Sequence, residues 1–365
     1  MSQRQSERTV PVKMSDVARA AGVSLMTVSN AFQQPRKVRA ETRERIFAAA
    51  AELGYIPNLI AGNLASGRSR VIAAVVPSLR NSNFARMIQG LTDHLEQRGY
   101  ELLLAVADTP ERQLAAVTTF LGRRVDGLLL TGTEHSPEVH SLLEAARIPV
   151  VETWNLDGPF IDMVVGFSNY EAARALTELM ISRGYRHIGF AGFEPRDLRF
   201  RERQRAFQDA LSAAGLRNDL LFFGSESLGF SGGRVALDHL LGREPDLQAM
   251  VCVTDIFAVG ALFECMRRGW PVPERFALAG YGDYEIAAEV PPGLTTVRTR
   301  GYAIGGVAAK LLVEKAETGF VAEATHNVGY ERLCRNSFFP LVGLWPALAR
   351  EGDARCSRAG NSIVL

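Results

Sequence analysis

Residues 24–30 (SLMTVSN) combine hydroxyl, amide and apolar side chains directly after a residue that caps helices well. Ser24 is a favourable N-cap residue, so a helix is predicted to begin at the next position. The first turns of such a helix can enter the major groove of DNA, which is wide enough to admit an α-helix. Next to the cap Ser24, the side chains presented to the groove would be Leu25, Met26, Thr27, Ser29 and Asn30.

Two kinds of hydrogen bond are expected from these side chains and their neighbours. The amide of Asn30 can pair with N6 and N7 of adenine, a bidentate contact worth about 1–3 kcal/mol of discrimination between bases. Hydroxyl and cationic side chains suit phosphate groups instead, and such contacts position a protein on a duplex without reading its sequence. The candidates for phosphate contacts are Thr27, Ser29, Lys37, Arg39 and Thr42.

Three short helices near the N-terminus would have to position these groups. The first is predicted to run from a cap at Ser15 to Ala21, the second over 25–32 and the third over 40–53. Gly22 breaks the chain between the first two, and a helix, a tight glycine turn, a helix and a third helix form the plan of a helix-turn-helix domain. The predicted core side chains are Val17, Ala18, Ala21, Val28, Ile46, Phe47, Ala50 and Leu53.

Charge is unevenly distributed along the chain, which has 365 residues and a net charge of +1. Residues 1–70 contain eleven basic and five acidic residues, a net charge of +6, which leaves −5 for residues 71–365. A basic segment joined to a neutral or acidic body is typical of a nucleic-acid-binding module attached to a second functional domain. Residues 58–70 are small, polar and basic, which predicts a linker or a marginal helix between the two.

From residue 71 onward, short apolar runs alternate with amphipathic helical patterns. Continuously apolar runs indicate strands that are covered on both faces, as in parallel sheets. Strands are predicted at 71–76, 101–105, 127–131, 149–152, 187–191, 250–254 and 277–281, with helices such as 84–98, 170–183 and 204–214. This body of about 265 residues is long for one sheet, so two lobes are expected. The predicted fold class is an all-α helix-turn-helix head plus an α/β body of two doubly wound parallel-sheet lobes, with ligands at the carboxyl ends of strands.

Other functional classes find little support in the sequence. No apolar run reaches the roughly 18–20 residues that a membrane span needs, and the polar first ten residues lack a secretory signal, so a cytoplasmic location is expected. The segment 229–233 (GFSGG) matches the GxSxG pattern of hydrolases, but a glycine loop that opens a helix at Arg234 is the better interpretation. Glu134, His135 and His140 are interpreted as a solvated helix start rather than a metal site. We therefore expect no enzyme, no metal and no cofactor.

The string DVARAAGVS followed by TVS, the LGYIPN at the end of the third helix, and the strand-rich body together resemble the LacI/GalR family of repressors over about residues 12–335. The resemblance implies that Tyr55, Asn58 and Ala61 also contact DNA, and that 58–66 fold into a hinge helix on the operator. Leu64 would insert into the minor groove and kink the duplex. Within the family, segments such as SRGYRHIGFAG and ALAGYGDYEIA are similar to the gluconate operon repressors.

That similarity implies an effector of the sugar-acid type, which would be gluconate, a related acid or its phosphate. Arg203 matches the family's effector-binding arginine, and a guanidinium can bind a carboxylate through two parallel hydrogen bonds. The other candidates align with pocket positions and follow predicted strands, where doubly wound sheets bind ligands. They are Ser78, Asn83, Phe84, Glu152, Trp154, Thr254, Asp255 and Asp283.

The predicted organisation is a disordered tail (1–11), a DNA-binding domain (12–57), a hinge (58–70), a two-lobed effector-binding and dimerisation domain resembling periplasmic binding proteins (71–337), and an atypical tail (338–365). The predicted function is a ligand-responsive regulator, usually repressing, of a carbohydrate operon. It would act as a homodimer or tetramer on a pseudo-palindromic operator. Two alternatives stay open, namely a periplasmic-type sugar-binding protein without DNA function, and a family member that responds to a neutral sugar or a sugar phosphate.

Overall fold

The structure is a computed structural model. It describes residues 12–56, 68–194, 197–225 and 229–338. The predicted hinge residues Asn58, Ala61 and Leu64 lie outside the described residues. The chain divides into two compact units, residues 1–70 and residues 71–365, which we describe separately. Within the described ranges, no helix is both long and apolar enough to cross a membrane.

The first unit contains the three predicted helices. They are α1 (Met14–Ala21), α2 (Leu25–Gln33) and α3 (Ala40–Leu53), with a 3-10 turn at Pro35–Lys37. Gly22 and Gly54 end α1 and α3 with φ angles of 64° and 66°, a left-handed conformation that glycine adopts without steric cost. The predicted cap at Ser15 is wrong. The cap is Lys13, because the carboxylate of Asp16 accepts a hydrogen bond from the Lys13 backbone N–H at 3.0 Å.

The core of the first unit differs from the prediction along α3. Three predicted core side chains are wholly buried, those of Val17, Val28 and Ile46. Phe47 and Leu53 are instead 40% and 37% exposed, whereas the smaller Ala49 and Ala50 face inward. Phe47 lies against the ring of Phe32, with 5.1 Å between the ring centroids. The inner face of α3 is formed by Ile46 and by alanines, so the larger Phe47 and Leu53 stay partly exposed.

The first lobe of the second unit is built on a parallel sheet of six strands. They are β1 (Val71–Val76), β2 (Glu101–Val106), β3 (Gly127–Thr131), β4 (Val150–Thr153), β5 (Met163–Gly166) and β11 (Thr325–Asn327). They pair in the order β11-β5-β4-β3-β1-β2. The helices of this lobe are α4 (Ser82–Gln97), α5 (Pro110–Gly122), α6 (Pro137–Ala146) and α12 (Gly301–Thr318). β1, β3 and β4 are buried along almost their whole length, as the continuously apolar runs predicted. β5 is buried as well, although the sequence analysis predicted no strand there.

The second lobe is built on a parallel sheet of four strands. They are β6 (Ile188–Phe193), β7 (Leu221–Gly224), β8 (Ala249–Cys252) and β9 (Ala277–Ala279), in the order β7-β6-β8-β9. Its helices are α7 (Asn169–Ser182), α8 (Leu198–Ala213), α9 (Phe230–Arg243), α10 (Asp255–Arg267) and the short α11 (Glu285–Glu289). Two further strands pair with each other in antiparallel fashion, β10 (Thr296–Thr299) and β12 (Tyr330–Leu333). The structure thus confirms an α/β body with two parallel sheets.

Helices α9 and α10 pack with their backbones in direct contact. A Cβ atom on Gly233 would lie 1.9 Å from the carbonyl oxygen of Phe257, and one on Gly260 would lie 1.8 Å from that of Phe230. Only glycine allows such an approach. α9 begins at Phe230, four residues before the predicted start, so the serine of the GFSGG segment lies in its first turn. Gly232 and Gly233 serve helix packing rather than a nucleophile turn.

Candidate functional site

The start of α2 forms an exposed surface on the first unit. Leu25 and Met26 are 53% and 68% exposed, although large apolar side chains are usually buried. Ser24 caps the helix, because its Oγ accepts the Thr27 backbone N–H at 3.1 Å. The same Oγ lies 2.8 Å from the Thr27 hydroxyl, which fixes the side chains of this turn relative to each other. The sequence prediction for Leu25 and Met26 therefore falls on accessible side chains.

Polar and basic side chains surround this surface. The other predicted DNA-contacting positions that are partly or fully exposed are Ser29, Asn30, Lys37, Arg39 and Thr42. Arg36 is also exposed in the 3-10 turn, and the sequence reasoning missed it although it directly precedes Lys37. Tyr55 is half-buried, with its ring 6.0 Å from that of Phe32, so it also belongs to the core of the first unit.

Arg203, on α8, is the centre of a polar cluster in the second unit and is only 8% exposed. Its Nε and Nη2 donate to Oδ1 of Asn169 at 2.9 and 2.8 Å, and its Nη1 donates to the carbonyl of Val253 at 3.0 Å. The ring of Tyr281 lies 3.7 Å from the guanidinium carbon. Both acceptor atoms are neutral, and Arg203 forms no ion pair within the described residues. Burial consequently lowers the pKa of Arg203 below its usual value.

A second arginine and two aromatic rings lie beside this cluster. Arg199, four residues earlier on α8, lies 5.8 Å from the centre of the Phe84 ring, and Phe84 meets Trp154 edge to face at 5.3 Å. Asp197 accepts hydrogen bonds from Nε of Arg199 at 2.8 and 3.0 Å, so the charge of Arg199 is largely balanced. Sequence reasoning missed Arg199, although its spacing from Arg203 places both on one face of a helix. The predicted residues Phe84, Trp154 and Arg203 are thus brought together.

Asn83, near the start of α4, connects the two lobes. Its Nδ2 donates to the carbonyl of Gly282, in the loop after β9, at 2.9 Å. Its Oδ1 is buried and has no hydrogen-bond partner within the described residues. A buried polar atom without a partner costs free energy, so such an atom indicates a missing donor. Asn83 therefore offers an acceptor for a hydroxyl group of a ligand.

Thr254 and Asp255 lie at the start of α10, and their polar atoms bind protein groups. Oγ1 of Thr254 accepts the Phe257 backbone N–H at 3.4 Å, the contact of an N-cap. Asp255 is wholly buried, and its carboxyl accepts the hydroxyl of Thr296 at 2.6 Å and the backbone N–H of Tyr284 at 2.7 Å. Burial raises the pKa of Asp255 to about 7, because it outweighs the two hydrogen bonds that favour the charged form.

Asp283 and Ser78 are likewise engaged by protein groups. The two carboxylate oxygens of Asp283 accept hydrogen bonds from Arg298 Nε and Arg335 Nη2, both at 2.7 Å. The backbone of Asp283 has a φ angle of 52°, which is uncommon for any residue other than glycine. Ser78 Oγ accepts the Arg80 backbone N–H at 3.1 Å. These contacts give both residues a role in shaping the loops that follow β9 and β1.

Glu152 is not brought together with the other candidates. Its carboxylate lies 3.2 Å from Nε2 of His135, without the alignment of a hydrogen bond, and it also accepts the backbone N–H of Ile161. Side chains alternate between the two faces of a strand, and Glu152 lies on the face of β4 that meets His135. His135 in turn contacts Gln113 of α5 at 3.1 Å. The side chains of Glu152 and His135 are wholly buried, so the predicted solvated helix start is wrong for His135. No group of three metal-binding side chains occurs in the described ranges.

Two protein-family models match this chain. Residues 13–58 match the bacterial regulatory proteins of the lacI family, and residues 69–278 match the periplasmic binding proteins and sugar binding domain of the LacI family. The chain belongs to the LacI family.

Similar proteins support the same assignment. The HTH-type transcriptional regulator GntR of Escherichia coli (strain K12) is 35% identical over 318 residues, which cover 87% of this chain and 96% of the relative. A LacI-family transcriptional regulator from Silicibacter pomeroyi has a TM-score of 0.84 at 33% identity and covers 90% of this chain and 100% of its own. The lac repressor dimer bound to operator and the anti-inducer ONPF has a TM-score of 0.80 over 91% and 100%; at 24% identity it shows the shared fold alone. This LacI-family protein is a transcriptional regulator and not an enzyme, as the sequence predicted.

Proposed function

We propose that this LacI-family regulator responds to a polyhydroxy carboxylate, with gluconate as the first candidate, and that the ligand's carboxylate binds Arg203. The observation that carries the proposal is the buried charge of Arg203 among neutral acceptors. Burying a charge is unfavourable unless a counter-charge accompanies it, and a carboxylate can provide one through two parallel hydrogen bonds. The match of the body to a sugar binding domain supports a ligand of the sugar type.

The neighbours of Arg203 suit the rest of such a ligand. The unpartnered Oδ1 of Asn83 can accept a hydroxyl, and the rings of Phe84 and Trp154 can cover its C–H groups. We assign Ser78, Thr254, Asp255 and Asp283 to the frame of the site, because protein groups occupy their polar atoms, and we leave Glu152 out of it.

We further infer that the protein is a homodimer that binds a pseudo-palindromic operator through α2. Leu25, Met26 and Asn30 would contact base edges, while Lys37 and Arg39 would contact phosphates. Their exposure supports this assignment, as does the dimeric, operator-bound state of the lac repressor to which the chain is similar. The remaining proposed contacts are those of Ser29 and Thr42, with Ser24, Thr27 and Tyr55 supporting the surface.

Isothermal titration calorimetry of the full-length protein tests the ligand. Gluconate should bind the wild type, and Arg203→Ala should weaken binding at least about tenfold, since a hydrogen bond to a charged group contributes about 1.5–3 kcal/mol. Arg205→Ala is the matched control, because Arg205 lies on the same helix, is 61% exposed and is paired with Glu202. It should leave the affinity unchanged. Undiminished binding by Arg203→Ala would refute the proposed anchor.

Fluorescence anisotropy with an operator duplex selected from a random library tests the DNA contacts. Affinity should fall steeply with salt, and Lys37→Ala or Arg39→Ala should each reduce the slope of log K against log salt by about 0.9. Asn30→Ala should alter the preferred base at one position instead. Arg123→Ala removes an exposed cation at the end of α5 and should change neither quantity. Addition of gluconate should weaken operator binding; a flat salt response would contradict the phosphate contacts.

A further inference from the structure

Asn169, the first residue of α7, is the wholly buried side chain that holds Arg203 in place. Its Oδ1 accepts the Nε and Nη2 hydrogen bonds of Arg203 and lies 3.4 Å from the Tyr281 hydroxyl. Its Nδ2 donates to the carbonyl of Trp154 at 2.9 Å and lies 3.3 Å from Oδ1 of Asn155. One amide thus fixes the guanidinium of the second lobe against the chain segment that follows β4 of the first.

The chemical type of this partner is unusual for a buried arginine. Buried charges are normally paired with an opposite charge, and a carboxylate would bind a guanidinium more strongly than an amide does. The carboxylate of Asp197 is engaged by Arg199. With Asn169 as its acceptor, Arg203 is oriented by hydrogen bonds, and no described carboxylate forms an ion pair with it.

The contacts of Asn169 require an amide and not a carboxylate. Its oxygen faces donors and its nitrogen faces two acceptors, the Trp154 carbonyl and Asn155 Oδ1. Aspartate has the same shape and would accept the same hydrogen bonds from Arg203. It would, however, neutralise the guanidinium and place a second oxygen against the carbonyl of Trp154.

We propose that Asn169 is the positioning residue that orients Arg203 without neutralising it, so that Arg203 can select an anionic ligand. It orients the guanidinium of Arg203 with a neutral oxygen, so that the positive charge is left for the carboxylate of the effector. This inference rests on the proposed sugar-acid site and adds a residue that determines its specificity. Asn169 orients the guanidinium, and Arg203 supplies the positive charge that binds the ligand.

The test compares gluconate with gluconamide, its uncharged amide, by calorimetry on the full-length protein. Wild type should prefer gluconate. Asn169→Asp should weaken gluconate binding at least about tenfold while gluconamide changes by much less, because only the charged ligand loses a counter-charge. Asn169→Ala removes the same hydrogen bonds without adding charge, so it should weaken both ligands by a similar factor and keep the preference for gluconate.

The outcomes separate this inference from the proposed function. If Asn169→Asp keeps the wild-type preference for gluconate, or if Asn169→Ala loses that preference, charge selection by Asn169 is refuted. If the wild type binds both ligands equally or neither, the sugar-acid site itself fails. Thermal melting of each variant without ligand verifies folding. Should Asn169→Asp not fold, Asn169→Ala still decides the question, because unchanged affinity for both ligands or a lost preference for gluconate would refute the positioning role.

Discussion

Asp255→Asn should flatten the pH dependence of the body's stability. The Asp255 carboxyl is wholly buried, and its pKa is raised from 3.8 to about 7. The folded protein therefore binds this proton up to a higher pH than the unfolded chain does. Between these two values the native state binds more protons, so the free energy of unfolding must fall as the pH rises. At about 1.36 kcal/mol per pKa unit, the wild type should lose roughly 3 kcal/mol between pH 5 and pH 8 through this group alone.

Asparagine is a suitable replacement because the surroundings of Asp255 can satisfy an amide. The Tyr284 backbone N–H needs an acceptor, which the amide oxygen provides, and the Thr296 hydroxyl can accept from the amide nitrogen. The variant thus keeps both contacts but has no proton to lose. Its stability should approach that of the wild type at pH 5 and exceed it at pH 8.

Urea denaturation followed by tryptophan fluorescence measures this difference. All three tryptophans lie beyond residue 70, at Trp154, Trp270 and Trp345, so the signal reports on the second unit. Asp246→Asn serves as the control, since Asp246 is exposed and should leave the pH dependence unchanged. Equal slopes for the wild type and Asp255→Asn between pH 5 and pH 8 would show that Asp255 is ionised throughout, and would refute the reasoning.

Two further predictions concern stability. Glu152→Ala should destabilise the body by about 3 kcal/mol in urea, because it removes the acceptor of the buried Ile161 N–H and leaves a cavity beside His135. Gluconate affinity should nevertheless stay within about twofold. A large loss of affinity without a loss of stability would return Glu152 to the effector site. Gly233→Ala should cost about 3 kcal/mol, since its Cβ would overlap the Phe257 carbonyl. Gly242→Ala, in the same helix with open space around its Cβ, should instead be neutral or stabilising by up to about 1 kcal/mol.

The sequence predicted those elements that local signals specify. Gly22 and Gly54 marked helix ends, and the apolar runs of β1 and β3 marked buried strands. The sequence analysis missed the short strands β5, β7, β10, β11 and β12, and two of these depend clearly on their partners. β11 and β12 are short and partly exposed, and they are strands because they pair with β5 and β10. A window of a few residues does not show which segments pair, because the partners are distant in sequence. β10 and β12, for example, lie more than 30 residues apart.

The candidate site was predictable in position but not in side-chain direction. The rule that ligands bind at the carboxyl ends of strands selected both Glu152 and Trp154, two residues apart on the chain. Glu152 belongs to β4 and faces His135, whereas Trp154 follows the strand with a φ angle of 73° and meets Phe84. The end of a strand is where regular alternation stops, so a pattern of period two cannot decide which side chain enters the site.

The roles within the Arg203 cluster also explain why its positioning residue escaped prediction. A charged side chain that matches a family position is visible in a sequence, but Asn169 becomes informative only through the five atoms that its amide contacts. Those atoms come from both lobes, so the geometry of Arg203 depends on how the lobes meet. A ligand that binds this geometry more tightly than any other must stabilise it by the difference in affinity. This difference in ligand affinity between the two conformations also limits how far the ligand can change the affinity for an operator. By linkage, the operator changes the affinity for the ligand by the same factor.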